Sequence, residues 1–554
     1  MIAMKLPFRI MLIIGSLLIV LTSSFATIPC RPSAPTRPGL GLTRNPSHGP
    51  LQYSATHPSF HSICSTSLRI RGGESSPSSA SGTALSAITG GLSSTFGTGS
   101  PMGLFNTALA SLGLVAVVSK AALRKSSDSS TSSETPKKPA AVLSLQRRFL
   151  SVFWLLRMSD WLQGPYFYEV YSSKIFNGVS ASMTMVSRLF LTGFGSTAIA
   201  GPFVGRAADK YGRKAGTIAF ALFYTLGALS TKSPLLWLLF AGRVMGGIGT
   251  SLLFSAPESW LVGEASKTDG GMDYLGETFG LAYAGDSLVA ITAGQLASMA
   301  ATKRGGPTGA FELSVVFLAL GSLLAAFTWK ENVASSEVDD DGSVKKMGIM
   351  DAVEVVRKDS RIALVGAVQA LFEAAMYIFV LQWPPAISAA MGRIFGSDVA
   401  TPYGKIFSCF MACCLLGSTL FGALSDNKVS TEKSTLSMLA VATLAMGGAV
   451  AATKWPLGVP SALLISSFFL FEACVGMYFP SIGTLRSKYI PDSQRGVIMN
   501  LFGIPLNVLV VSVFLSIKKL GVNGALGVSA GALGLATLSM AKLLSMDKKE
   551  PAMA

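Results

Sequence analysis

Histidine is almost absent from this sequence. The only three, His48, His57 and His61, lie near the N-terminus, ahead of every strong apolar run but the first. The rest of the chain therefore has no imidazole for a zinc site, a haem ligand or a proton relay. Cysteine is also sparse. Cys30 and Cys64 share the N-terminal stretch, whereas Cys409, Cys413, Cys414 and Cys474 fall inside apolar runs, with no Cys-x-x-Cys or Cys/His ligand spacing. Such thiols read as small buried hydrophobes, and neither a metal centre nor a disulfide framework is expected in the body. Charge is the third scarcity: 13% of residues are charged and 50% are hydrophobic, whereas soluble domains carry about a quarter charged residues. The composition is that of a membrane protein, with lipid as an obligatory partner. A net charge of +16 invites a nucleic-acid reading. However, the basic residues sit in short clusters between apolar runs and leave no basic, aromatic-interleaved domain over. A membrane-embedded acyl- or glycosyltransferase is disfavoured by the missing histidine and the lack of a large polar domain. No catalytic residue and no cofactor are expected.

What is present begins with a leader. Lys5 and Arg9 precede "IMLIIGSLLIVL" and then "TSSFA", the three-part pattern of a signal peptide over 1–25. The run is too short to span a bilayer comfortably. The following segment, 26–101, is rich in Ser, Pro and Arg and holds no acid up to Gly73. It reads either as a transit-like stretch, pointing to the plastid envelope of a complex-plastid alga, or as a disordered lumenal tail on a protein of the plasma membrane or an endomembrane. A weaker apolar segment, 102–123, is expected to cross once as an additional transmembrane helix, and Arg124 and Lys125 lead from it into a cytoplasmic linker over 124–147.

From there the apolar runs keep a steady rhythm. They centre on 148–171, 180–204, 215–231, 234–263, 276–301 and 310–329, then on 361–388, 403–424, 434–453, 458–485, 497–517 and 523–544. Each is long enough for a transmembrane helix. The spacing predicts an N-terminal six-helix half over 148–329, a cytoplasmic central loop over 330–360, a C-terminal six-helix half over 361–544 and a cytoplasmic tail over 545–554. The halves repeat. "GRAADKYGRK" (205–214) lies between the second and third helices of one half, and "GALSDNK" lies in the same place in the other, so Gly205 precedes Asp209 as Gly422 precedes Asp426. Arg243 and Glu472 each stand four residues before a glycine, Gly247 and Gly476, and Asp160 and Glu373 lie in the first helix of each half. A duplicated six-helix body points to a transporter rather than a receptor. Lys and Arg concentrate on the side of the motif loops, which places that side in the cytoplasm.

The pattern carried by Gly205, Asp209, Lys210, Gly212, Arg213 and Lys214 resembles the signature loop of the major facilitator superfamily. Gly205 is expected to allow close helix approach, and Asp209 to cap a helix start and pair with a base, latching the halves. Four further stretches resemble the molybdate-anion transporter branch of that superfamily. They are "DWLQGPYFYEVY" (160–171), "GRVMGGIGTSLLFSAPESWLV" (242–262), "ALFEAAMYIFVLQWPPAI" (370–387) and "CVGMYFPSIGTLRSKYIP" (474–491). The resemblance implies an all-α membrane protein of major facilitator fold, with six plus six helices as pseudo-symmetric halves and an extra N-terminal helix. It also implies carriage of molybdate, a tetrahedral dianion, by alternating access. The same scaffold also suits a proton-coupled porter for a sugar, an organic anion or a drug.

Ionisable residues inside membrane helices usually face a partner or a water-filled path. The candidates are Asp160, Glu169, Arg188, Arg243, Glu258, Asp286, Glu373 and Glu472, with Gln163, Tyr166 and Tyr377 as polar neighbours. Arg243, beside the packing glycines Gly246, Gly247 and Gly249, offers a guanidinium fork for an oxyanion. Its alternative role is an ion pair with Asp160 or Glu258. Arg188 is near a helix end and suits snorkelling. Asp160 and Gln163 share a helix face ahead of the break at Gly164-Pro165, and Glu373 and Tyr377 form the counterpart face. An acid in each half would suit protons as the coupling ion.

Overall fold

A bilayer offers the backbone no hydrogen-bonding partners, so long apolar runs close on themselves as helices. The structure, a computed structural model, describes residues 99–127, 138–176, 178–333, 349–396, 398–454, 459–490 and 495–547. The signal-peptide region and nearly all of 26–101 lie outside the described residues. The chain opens with α1 (Pro101–Ser127) and then α2 (Ala140–Gln163), a 3-10 turn at Gly164–Tyr166 and α3 (Phe167–Ser172). A short antiparallel hairpin follows, β1 (Ile175–Phe176) with β2 (Val179–Ser180). The first half continues through α4 (Met183–Tyr211), α5 (Arg213–Ser230), α6 (Leu236–Leu253), α7 (Ala256–Ala265), α8 (Leu275–Lys303) and α9 (Thr308–Thr328). After α10 (Ile349–Lys358), the second half comprises α11 (Ser360–Phe395), α12 (Tyr403–Asp426), α13 (Thr431–Lys454), α14 (Val459–Tyr489), α15 (Arg495–Leu515) and α16 (Ile517–Asp547).

The architecture is the expected pair of six-helix bundles. Within the first, α4 and α5 pack on α6 and α2 packs on α9; within the second, α11 and α13 pack on α16, and α12 and α13 on α14. The halves meet along α8–α12 and, more lightly, along α4–α15. Eight of the described segments are long and apolar enough to cross a membrane on length and composition alone: α1, α6–α7, α9, α11, α12, α13, α14 and α16. The apolar part of α15, Leu501–Leu515, is shorter, while α2, α4, α5 and α8 carry the ion-paired and motif residues that dilute their apolar character.

Two departures from the sequence reading have local causes. The Gly164-Pro165 break is present, but a second break divides the long run at 234–263, where Phe254 and Ser255 separate α6 from α7 and Pro257 starts the new helix. Proline is well tolerated in a first helical turn because its missing N–H would have no partner there. The central loop is not loop throughout: α10 is an amphipathic helix whose Val355 and Val356 pack beside Ile362, Ile498 and Phe502. In contrast, α11 runs unbroken through Pro384 and Pro385. Before the two halves, α1 buries Leu104, Phe105, Ala108, Leu112 and Val115, a stripe at helical spacing, and packs on α12.

Glycines set the closest crossings. A Cβ on Gly476 would fall on the backbone of Cys414, and one on Gly417 on the carbonyl of Ala473, so α12 and α14 touch backbone to backbone. Between the halves, Gly294 of α8 and Gly404 of α12 face each other's carbonyls in the same way. Here Ser408 donates to the Ile291 carbonyl at 2.7 Å and Lys405 to Gln295 Oε1 at 2.5 Å. Phe194 of α4 meets Tyr377 and Phe514 of the second half at ring distances of 5.1 and 6.3 Å. These contacts close the seam at the end opposite the motif loops, referred to below as the far end.

Gly247 and Gly249 also sit in tight contacts, against α4 and Tyr224 respectively, but Gly205, Gly246 and Gly422 have nothing within 4 Å of an added Cβ. In this conformer nothing closes on Gly205 in its Cβ direction, while the backbone of Gly246 lies beside Gly227 of α5 with its own Cβ direction open. The contrast is testable by thermal unfolding. Gly476→Ala should lower the melting temperature by the equivalent of about 1–3 kcal/mol of overpacking. Gly246→Ala, with its Cβ direction open, should leave the melting temperature unchanged.

Candidate translocation site

The first polar cluster is built around a residue absent from the sequence-derived candidates. Arg157, on α2 three residues before Asp160, is only 6% exposed. Its Nε and Nη2 fork onto the two oxygens of Asp286 at 2.9 and 2.8 Å, and its Nη1 reaches Asp160 Oδ2 at 3.2 Å. Trp161 donates its indole N–H to Asp286 at 2.8 Å, and the guanidinium lies 4.7 Å from the Trp161 ring and 5.2 Å from the Phe254 ring. Tyr224 of α5 donates to Asp160 Oδ1 at 2.8 Å and is bonded to Thr250 of α6 at the same distance. Four helices thus meet at one satisfied network of two acids, one base and their donors.

The second half repeats the arrangement. Arg486 of α14, also not among the sequence candidates, donates to Glu373 at 3.1 Å and to Gln369 at 2.9 Å. Tyr478 donates to the same Glu373 oxygen at 3.0 Å, its ring stacked on Phe372 at 4.0 Å. Tyr377 is half-buried at the seam against Phe194.

Arg243 behaves differently. Its Nε donates to the Leu189 carbonyl at 3.2 Å, and its guanidinium lies 4.4 Å from the Phe167 ring and 5.7 Å from Phe190. Tyr171 sits beside it, and Gly193 is its floor, since a Cβ there would strike the guanidinium. Among the described residues it has no carboxylate partner. The alternative ion pair does not form: Asp160 is taken by Arg157 and Tyr224, while Glu258 accepts from Tyr283 at 2.5 Å. Glu472, the repeat counterpart of Arg243, is likewise unpartnered. It is 8% exposed and makes no hydrogen bond or ion pair with a described residue.

The other candidates stand apart from these clusters. Gln163 donates to Ser314 at 2.8 Å, and Ser314 donates to the Ser159 carbonyl at 2.8 Å, so Gln163 ties α2 to α9 instead of sharing a site with Asp160. Tyr166, 3% exposed, packs edge-on to Tyr403 across the seam. Glu169 is half-buried and Arg188 is exposed.

The motif loop organises its own half. Asp209 pairs with Arg213 at 2.8 Å, one turn on, and among the described residues no ion pair joins it to the other half. The start of α5 is capped by Glu331, which accepts from the backbone N–H of Lys214 and Ala215 at 2.8 and 2.9 Å. Gly212 adopts φ +130 and leaves room for that carboxylate. Lys214 donates to the Ala326 carbonyl at 2.7 Å, and Trp329 stacks on Trp260 at 3.8 Å. The loop therefore clamps the exit of α9. Lys210 lies over Tyr211, and Asp426 is exposed at the end of α12.

A family model described as sugar transporters with twelve transmembrane helices matches residues 106–475. The molybdate-anion transporter of Xenopus tropicalis is 31% identical over 384 residues, covering 69% of this chain and 80% of that protein. The solved structure of the nucleoside transporter NupG aligns with a TM-score of 0.55 at 15% identity, covering 73% of this chain and 99% of that one. The inward-open xylose transporter XylE from E. coli aligns with a TM-score of 0.52 at 13% identity, covering 73% and 96%. These structural likenesses establish the fold, and the sequence matches extend across both halves. The chain belongs to the molybdate-anion transporter family of the major facilitator superfamily.

Proposed function

We propose that the protein carries molybdate across its membrane as a secondary transporter, by alternating access of a site between its two halves. The observation that carries this reading is the contrast among three arginines. Arg157 and Arg486 are each held by carboxylates, whereas Arg243 presents a half-buried guanidinium with none. A tetrahedral oxyanion leaving water needs several fixed donors, and a guanidinium supplies them as a planar fork. The relatives named as molybdate-anion transporters support the same substrate. The basic motif loops support a cytoplasmic position for that end. The leader supports residence in the plasma membrane, an endomembrane or a plastid envelope, and the apolar stripe of α1 supports a crossing ahead of the twelve.

Protons are the coupling ion in this reading. A dianion on Arg243 leaves net negative charge in a low-dielectric site, and a carboxyl that takes up a proton offsets it. Glu472 suits that role because no described residue pairs with it.

Sealed vesicles containing the purified protein test both statements. Labelled molybdate uptake should be competed by sulfate and not by xylose; the reverse would favour a sugar porter. Arg243→Lys keeps the charge but loses the fork, and should weaken molybdate affinity at least about tenfold with little change in melting temperature. Arg157→Met should instead lower the melting temperature, because breaking a buried pair costs about 3–5 kcal/mol and here strands Asp286. Unchanged affinity in Arg243→Lys would remove Arg243 from the substrate site.

For the coupling ion, Glu472→Gln should abolish the stimulation of uptake by an imposed pH gradient while leaving molybdate affinity intact. Full stimulation in that variant would exclude Glu472 as the proton carrier.

A further inference from the structure

Away from the translocation site, one membrane-facing cleft combines an apolar floor with a charged rim. It lies between α8 and α9 near the far end, with a volume of about 290 Å³. Leu296, Met299, Leu313 and Val316 form its floor. Met299 and Val316 are 47% and 51% exposed, and the outward stripe of α9 continues through Leu320, Leu323 and Phe327. On a transmembrane bundle such a stripe faces acyl chains.

The rim is cationic. Glu312 accepts from Arg304 at 2.6 Å and also pairs with Lys232 at 2.8 Å, so one acid is shared between two bases. Lys303, beside them, is exposed and has no acid partner among the described residues. Three bases against one acid leave a surplus of positive charge directly above the apolar floor. A zwitterionic headgroup brings its own cation and gains little from that surplus. A water-soluble anion would match the rim and leave the floor unused.

We propose that this cleft binds a phospholipid of net negative headgroup, its phosphate on Lys303 and Arg304 and an acyl chain along Leu296, Met299, Leu313 and Val316. The occupant has a mechanical consequence. Gly294 and Ser298, which meet Gly404 at the seam, lie on the opposite face of α8 from Leu296, Met299 and Lys303. The lipid thus braces the helix that closes the far end.

Native mass spectrometry of the full-length protein in detergent, offered equal phosphatidylglycerol and phosphatidylcholine, reads the preference directly. The unaltered protein should retain phosphatidylglycerol preferentially. Lys303→Gln combined with Arg304→Gln should reduce that preference about tenfold, leaving phosphatidylcholine retention unchanged. Val316→Trp, which fills the floor and keeps every charge, should reduce retention of both lipids and provides the readout if the double variant does not fold. Inorganic phosphate should not displace the lipid. A preference absent from the unaltered protein, or surviving the double change, overturns the proposal. So does displacement by phosphate or full retention in Val316→Trp.

Discussion

A charge inside an apolar bundle must be neutralised or hydrogen-bonded where it stands, because the bilayer supplies neither service. The N-terminal half is assembled around that constraint. Arg157 gathers Asp286 from α8 and Asp160 from its own helix, and Asp160 in turn holds Tyr224 of α5, which reaches Thr250 of α6. In the second half Arg486, Glu373, Gln369 and Tyr478 do the same with two helices. Once these pairs are formed, the unpaired residues are informative. Arg243 and Glu472 are counterparts in the internal repeat, and among the described residues each lacks the ion-pair partner that their neighbours have. In the proposed cycle the first would hold the anion and the second the proton.

The moving parts follow from where backbones touch. Inside the second half, Gly417 and Gly476 bring α12 and α14 into contact too close for any side chain, which favours movement as a unit. The α8–α12 seam has the same closeness at Gly294 and Gly404, but it joins two separate bundles through few polar bonds. Parting that joint would expose apolar surface shared by the two bundles, because Ala293 and Ala297 of α8 lie in one buried cluster with Ile406 and Cys409 of α12. The motif loop belongs to the rigid side of this division: Asp209 is spent on Arg213, and Glu331 fastens the exit of α9 to the start of α5.

Much of this was legible in the residue order. The repeat, the motif and the Gly164-Pro165 break are local patterns, and the helices formed where the apolar runs lay. The misses share a cause. Arg157 was hidden because an arginine one turn from an aspartate looks like an ordinary helix-face pair, and Asp286, its principal partner, lies on a helix far away in sequence. Arg486 lies one residue past the apolar run at 458–485, so residue order alone does not place it inside the bundle. Glycine spacing alone does not tell Gly205 and Gly246, whose Cβ directions are open, from Gly294 and Gly404, on which the seam depends. The amphipathic α10 is too short and too charged to stand out as an apolar run, and only its packing on Ile498 and Phe502 marks it.

The sequence by itself determined that the chain is a duplicated helical membrane protein with a Gly-Asp motif loop between the second and third helices of each half. It could do so because helix length, apolar content and motif spacing are properties of neighbouring residues, and the bilayer enforces them one segment at a time. Tertiary structure alone decided which charges are neutralised, which glycines touch and which end is closed. Those outcomes depend on which faces of distant helices meet, and the cost of burying a charge is settled only by the partner found there.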